Sequence, residues 1–304
     1  MKKKNIFLPL LFTTLFTPLC IQTAFPQELS LLHEKTFATS PGKLLKIEAQ
    51  SGSVKVETWD KNDVYVKVLG NDKAKEKLEF KFEEEDWGVY ISAKKKGGFW
   101  SFNWGKSPHV RFEIMVPKSY NAKVSTSGGN IGIKNLTGNI EGKTSGGDLK
   151  LYDNVGNTNA STSGGDIIIK NNKGNTKAST SGGDISVVDF HGDLEVATSG
   201  GDIEMKGGNA RIDASTSGGD VKLDYRGENL GIDLSTSGGD IDVFLPVDFS
   251  AKANLKTSGG DISCDLSTNN VIKISSSRFE ADLNKGGKSL ICRTSGGDIQ
   301  VRKK

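Results

Sequence analysis

From about residue 122 onward, apolar residues recur in short alternating runs separated by glycine and small polar residues. The clearest column follows an acidic or amide position. One residue after it come Ile131, Leu149, Ile167, Ile185, Ile203, Val221, Ile241, Ile262 and Ile299. Two further on come Ile133, Leu151, Ile169, Val187, Met205, Leu223, Val243, Cys264 and Val301, with mostly polar residues such as Lys150, Ser186, Glu204 and Lys222 between. Alternation with period two predicts a short strand with one face inward. A second such strand precedes the acid, with inward pairs such as Ala122/Val124, Leu194/Val196 and Ile232/Leu234. At two positions of this strand, Thr158 and Thr176, the inward residue is threonine. A three-sided coil with a six-residue period fits less well, because its third inward site would fall on Ser125, Lys143, Ser161 and Ser179.

Between the two strands stands Thr-Ser-Gly-Gly-Asp/Asn, which occurs nine times, beginning at Thr126, Thr144, Thr162, Thr180, Thr198, Thr216, Thr236, Thr257 and Thr294. The steps are 18 five times, then 20, 21 and 37. A fixed short period is the mark of a solenoid. The expected fold is all-β: a single-stranded parallel β-solenoid of about 18 residues per coil, two strands each, with Ser-Gly-Gly as a corner where glycine allows positive φ and close approach between coils. Stacked coils about 4.8 Å apart would set Ile on Ile and Thr on Thr, around a core too thin for an internal cavity.

Three segments follow. Residues 1–24 read as a signal peptide, 25–121 as an irregular N-terminal β region and cap, and 122–304 as the regular solenoid with a C-terminal cap. Strands are expected near Leu44–Glu48, Val54–Thr58, Val64–Leu69, Leu78–Phe82, Val89–Ala93 and Val110–Val116, with Gln50–Val56 as a degenerate corner. Residues 262–293 interrupt the repeat and are expected to hold one degenerate coil with a longer loop, and Thr294–Val301 is expected to close it as the last regular strand.

The first segment carries Lys2, Lys3 and Lys4, then an apolar run from Ile6 to Leu19 broken by Pro9 and Pro18. That is a secretory pattern rather than a membrane span, with cleavage expected near Ala24 and Cys20 as the alternative lipid anchor. The expected location is extracytoplasmic: periplasm, outer membrane surface or secreted. The 304 residues hold 40 Lys+Arg against 37 Asp+Glu, so without the three leading lysines the chain is neutral. A neutral chain has no electrostatic reason to bind nucleic acid. Three His and three Cys leave no metal cage of those types.

The repeated acids Asp148, Asp166, Asp184, Asp202, Asp220, Asp240 and Asp261 would form a column. Like charges at that spacing repel by about 1 kcal/mol per neighbour in water, so something must offset them. Local hydrogen bonds to corner N–H groups would do so; calcium is the alternative, without the spacing of calcium β-rolls. Gly97–Gly105 holds Phe99, Trp100, Phe102 and Trp104, either a flap over the solenoid end or an exposed tip for a glycan, lipid or protein ligand. Cys264 and Cys292 fall on inward positions of the two strands of a coil, as a disulfide or as two buried thiols. The Thr-Ser column is either an internal ladder or a flat hydroxyl-bearing surface. His33, His109 and His191 are scattered, and no catalytic motif appears, so no enzyme, no resident cofactor and no catalytic residue is expected. A polysaccharide-processing β-helix and a self-assembling envelope scaffold remain the alternatives to a binding or structural role.

The Ser-Gly-Gly-Asp-Ile corners, the lead-in Phe112-Glu-Ile-Met-Val-Pro117 and the ending Leu283-Asn-Lys-Gly-Gly287 with Thr294–Ile299 resemble the bacterial putative-adhesin β-strand-repeat family, a domain of unknown function. The likeness spans roughly residues 44–301. It implies an exported β-solenoid and brings no catalytic residues with it.

Overall fold

A computed structural model describes residues 29–96 and 107–304. The expected signal segment, Cys20 and the four loop aromatics lie outside the described residues.

The two strands of each repeat part into two sheets of 13 and 14 strands that face each other across the core. In the first, Leu149 pairs Ile167, Ile167 pairs Ile185, Ile185 pairs Ile203 and Ile203 pairs Val221, all parallel. In the second, Ile140 pairs Thr158, Thr158 pairs Thr176, Thr176 pairs Leu194 and Leu194 pairs Ile212. Successive partners are one repeat apart, so inward positions stack on inward positions, aliphatic on aliphatic in the first sheet and a mixture of aliphatic and threonine in the second. Parallel sheets are usually covered on both faces and then read as continuous apolar runs. Here each sheet covers only one face, and the period-two alternation follows from that. Ile167, Ile169, Val187, Met205 and Leu223 are all 0–1% exposed, so the interior is filled.

The all-β parallel architecture matches the expectation; the order of the coils at the two ends does not. At the C-terminal end, Ile241–Leu245 does not pair with the next strand of its sheet, Ile262–Cys264. Ile299–Lys303 lies between them, parallel to both. In the other sheet Ser289–Arg293 likewise separates Ile232–Ser235 from Ala251–Lys256. The last coil in the chain is therefore next to last in the stack. Outside it, Arg278–Leu283 and Thr268–Ile274 add two antiparallel strands.

The N-terminal end has the same construction. Leu44–Ala49 and Ser53–Trp59 form a coil that rests directly on Asn121–Thr126 and Ile131–Lys134. Gly88–Lys95 and Val110–Pro117 lie outside that coil, although they come later in the chain. Antiparallel strands Leu78–Glu85, Asp63–Gly70 and Ser30–Ala38 finish this end. Antiparallel edges stop the parallel stack from offering its own register to another coil. A single helical turn, Asp72–Lys77, is capped by Asn71, whose Oδ1 accepts from the N–H of Ala74 and of His109. Among the described residues no helix is long and apolar enough to cross a membrane.

Candidate functional site

Each coil turns twice, and the two corners use different chemistry. At the Thr-Ser-Gly-Gly-Asp corner the threonine points inward. Thr180 is buried; its Oγ1 donates to the Gly165 carbonyl at 2.9 Å and accepts from the Gly183 N–H at 3.3 Å. The same pair of bonds recurs at Thr162, Thr198 and Thr216. The threonine column is thus an internal ladder, and only its serines, such as Ser163 and Ser181, reach solvent. The two glycines differ. A Cβ on Gly183 would lie 2.1 Å from the Gly165 carbonyl oxygen, while one on Gly182 would meet nothing closer than 3.7 Å. The second glycine is required for close approach of coils. Neither has a left-handed φ, which corrects the expectation of positive φ at this corner.

The acids solve their own repulsion. Asp166 Oδ1 accepts the Asp184 N–H at 2.9 Å, Asp184 Oδ1 accepts that of Asp202 at 2.8 Å, and Asp202 Oδ1 that of Asp220 at 2.8 Å. The ladder begins on Asn130, whose amide oxygen serves Asp148 at 2.9 Å. It ends by passing from Asp240 to Asp298 and from Asp298 to Asp261, in stacking order rather than chain order. Each carboxylate short of the terminal Asp261 therefore has one oxygen committed to backbone. Among the described residues no three His, Cys, Asp or Glu side chains are arranged to hold a metal ion.

The second corner escaped the sequence reading. Here positive φ does occur, at Asn135, Asp153, Asn171 and Asp189 (52–61°) and at Gly138, Gly156, Gly174 and Gly192. Asn and Asp tolerate this region because their short side chains hydrogen-bond locally. The signal was present as Asn/Asp-x-x-Gly-Asn/Asp, with Gly156-Asn157, Gly174-Asn175 and Gly192-Asp193 at the repeat spacing. A second ladder forms: Asn157 Oδ1 accepts the Asn175 N–H at 3.2 Å, and Asn175 Oδ1 accepts the Asp193 N–H at 3.0 Å. Inside the corner Asn154 and Asn172 are buried. Asn154 Oδ1 takes the Leu136 N–H, and Asn172 bridges the hydroxyls of Thr158 and Thr176. The inward threonines of the second strand are thereby satisfied. Along this corner runs an open groove of about 650 Å³ that reaches from Asn139 to Asp213.

The remaining candidates are dispersed. Cys264 and Cys292 are free thiols, in opposite sheets but on neighbouring coils rather than one. Burial pushes both thiols up, Cys292 the further because it is wholly enclosed. His33 lies 4.9 Å from the ring of Phe80 and 5.2 Å from that of Phe82; burial first, and Lys35 second, lower its pKa. His109 stands beside the Asn71 cap, and His191 is an exposed member of the second corner, so the three histidines do not meet.

A family model, Toastrack DUF4097, matches residues 43–302, and the chain belongs to that family. The span coincides with the likeness carried by the Ser-Gly-Gly-Asp-Ile corners. No curated protein matches the chain. Among solved structures it is similar to a "putative adhesin" from Bacteroides fragilis, at 12% identity over 91% of this chain and 99% of that one, with a TM-score of 0.43. It is also similar to a "putative lipid binding protein" from Parabacteroides distasonis, at 16% identity over 89% and 96%, TM-score 0.42. A "putative cell adhesion protein" from Clostridium sporogenes aligns at 12% identity over 90% and 99%, TM-score 0.24.

Proposed function

We propose that the chain is exported and works in the cell envelope or at the surface as a non-enzymatic binding or structural solenoid. The observation that carries this reading is the filled interior. The inward columns of both sheets are nearly inaccessible, with Ile167, Leu151, Leu223 and Leu234 at 0%. A ligand therefore has only the outer faces, the corners and the ends to bind. A long rod of this kind offers many equivalent contacts and no enclosed reaction chamber, which suits attachment better than turnover. Export rests on the lysine-led apolar leader, with Cys20 as the anchor if the chain is lipidated. The aromatic segment Phe99–Trp104, outside the described residues, is a further candidate binding element.

Protease shaving of intact cells tests the location. Loss of the protein would place it outside, as an adhesin-like binder; protection until the envelope is opened would place it in the periplasm. Recovery in the cytoplasmic fraction with an intact leader would contradict the proposal. A scaffold role has one observation in its favour. The edge strand Thr268–Ile274 exposes Val271, Ile272 and Ile274 at 53–75%, and such an edge can template another chain. Size-exclusion over a wide concentration range, with Ile272→Lys beside it, separates a scaffold from a capped monomer.

A further inference from the structure

We propose that the groove at the second corner binds a neutral, linear, hydroxyl-rich polymer, that is, an extended glycan chain lying along the solenoid axis. This rests on the reading of the chain as a binding solenoid and names the ligand class.

The groove crosses five consecutive strands, from Ile140–Lys143 to Ile212–Ser215, and is therefore about 19 Å long at about 4.8 Å per coil. Its wall is the amide ladder. Asn157 and Asn175 each commit Oδ1 to the N–H of the next coil. That bond fixes which way the amide points and leaves Nδ2 as a donor at the groove wall, already oriented before any ligand arrives. Asp193 continues the row with a carboxylate, an acceptor in the same line. Oriented donors followed by an acceptor, one per coil, match a ligand whose groups both donate and accept at a regular spacing. Sugar hydroxyls do both, and one pyranose unit is close in length to one coil.

Charge chooses among glycans. Lys177 and Glu195 pair at 2.5 Å, and the other charged lining residues are Arg211, Asp193 and Asp213, so the groove is close to balanced with a slight negative excess. A nearly balanced surface gives an anionic polymer no advantage. The opposite corner, with its column of aspartates, would repel one. Backbone chemistry argues against an extended peptide. The N–H groups of Ile140, Thr158 and Thr176 are all taken by the next coil, at Asn157, Asn175 and Asp193 carbonyls. A peptide strand could find no unpaired edge here, and strand addition is the usual source of its affinity.

The test titrates the full mature chain with neutral linear oligosaccharides of about four to six units: β-1,4-glucan, β-1,3-glucan, α-1,4-glucan and mannan series. An oligogalacturonate serves as the anionic comparison. Binding of at least one neutral series is expected, with little dependence on salt. Asn157→Asp with Asn175→Asp keeps both ladder acceptors and removes both donors. It should weaken that binding by about tenfold or more, while the melting temperature stays close to wild type. Asp166→Asn at the opposite corner should change neither. Failure of every neutral series to bind would overturn the proposal. So would binding that ignores the double substitution, tighter binding of the oligogalacturonate, or occupation of this groove by a surface protein instead. Cell shaving is read independently, so a surface-exposed protein that binds no glycan refutes this inference and leaves the location standing.

Discussion

The middle of the solenoid and its two ends use the same corner motif, yet they assemble it differently. Between Ile131 and Leu245 each coil lies on the one before it in the chain. At the ends the neighbour in space is not the neighbour in sequence: Ser289–Arg293 and Ile299–Lys303 fill a slot between two earlier coils. Leu44–Ala49 and Ser53–Trp59 are likewise enclosed by later strands. The side-chain ladders follow space. Thr294 Oγ1 donates to the Gly239 carbonyl and Thr257 Oγ1 to that of Gly297, both at 2.8 Å. At the other end Thr126 Oγ1 reaches the Gly52 carbonyl at 2.9 Å, so the degenerate corner takes a regular place in the stack. Coils that carry the same corner thus pair here out of chain order. A simple stack leaves its terminal coil with one neighbour; this one gives its C-terminal coil two.

The largest consequence concerns the last coil. Removing residues 288–304 deletes the buried Leu290, Cys292, Ile299 and Val301 and opens two parallel edges at once. At about 1.5–3 kcal/mol per buried side chain the loss is roughly 6–12 kcal/mol, comparable with the whole stability of a domain. The truncated chain is expected to aggregate or to melt far earlier by calorimetry. Deleting only the edge strand Thr268–Ile274, whose side chains are mostly exposed, should cost much less. Equal effects would break the comparison.

Next come the two glycines of one corner. Gly183→Ala forces a Cβ against the Gly165 carbonyl and should destabilise by about 3 kcal/mol or more, whereas Gly182→Ala should stay within about 1 kcal/mol. Chemical denaturation of both variants checks it. Asp184→Ala frees the Asp202 N–H and should cost about 1 kcal/mol, while Asp184→Asn keeps the acceptor, as Asn130 does naturally. If the ladder rather than calcium balances this column, the melting temperature will be the same with calcium and with chelator.

The smallest effect is chemical. Burial raises both thiols, so the reactive thiolate is scarce in the folded chain at neutral pH and grows only as pH rises. In the native protein Cys264 should be alkylated slowly and Cys292 not at all until the chain is unfolded, as read by intact mass.

Much of the middle was legible because side-chain period and corner chemistry are local. The inward Ile167/Ile169 and Leu194/Val196 pairs followed from alternation, and their halfway spacing required two strands per coil. Two features were not legible. The second corner lacks an invariant string: its inward residue changes from Leu136 to Asn154, Asn172 and Phe190, so no fixed motif marks the Asn and Gly that set its geometry. Gly207 marks the same variation, since a Cβ there would lie 2.6 Å from the Phe190 ring. The coil order at the ends was hidden for a different reason. Thr294–Asp298 and Thr257–Asp261 are the same motif, and nothing in a repeated motif states which copy it will meet. The groove was hidden with the corner that forms it.

Hydrogen exchange followed by peptide mass tests the central claim, that the last coil is internal. The amides of Leu290–Arg293 and Ile299–Val301 should exchange as slowly as those of Ile185–Val188 and Leu194–Ala197, and more slowly than those of Thr268–Ile274. A C-terminal coil that exchanges first, as the frayed end of a sequential stack would, contradicts the account.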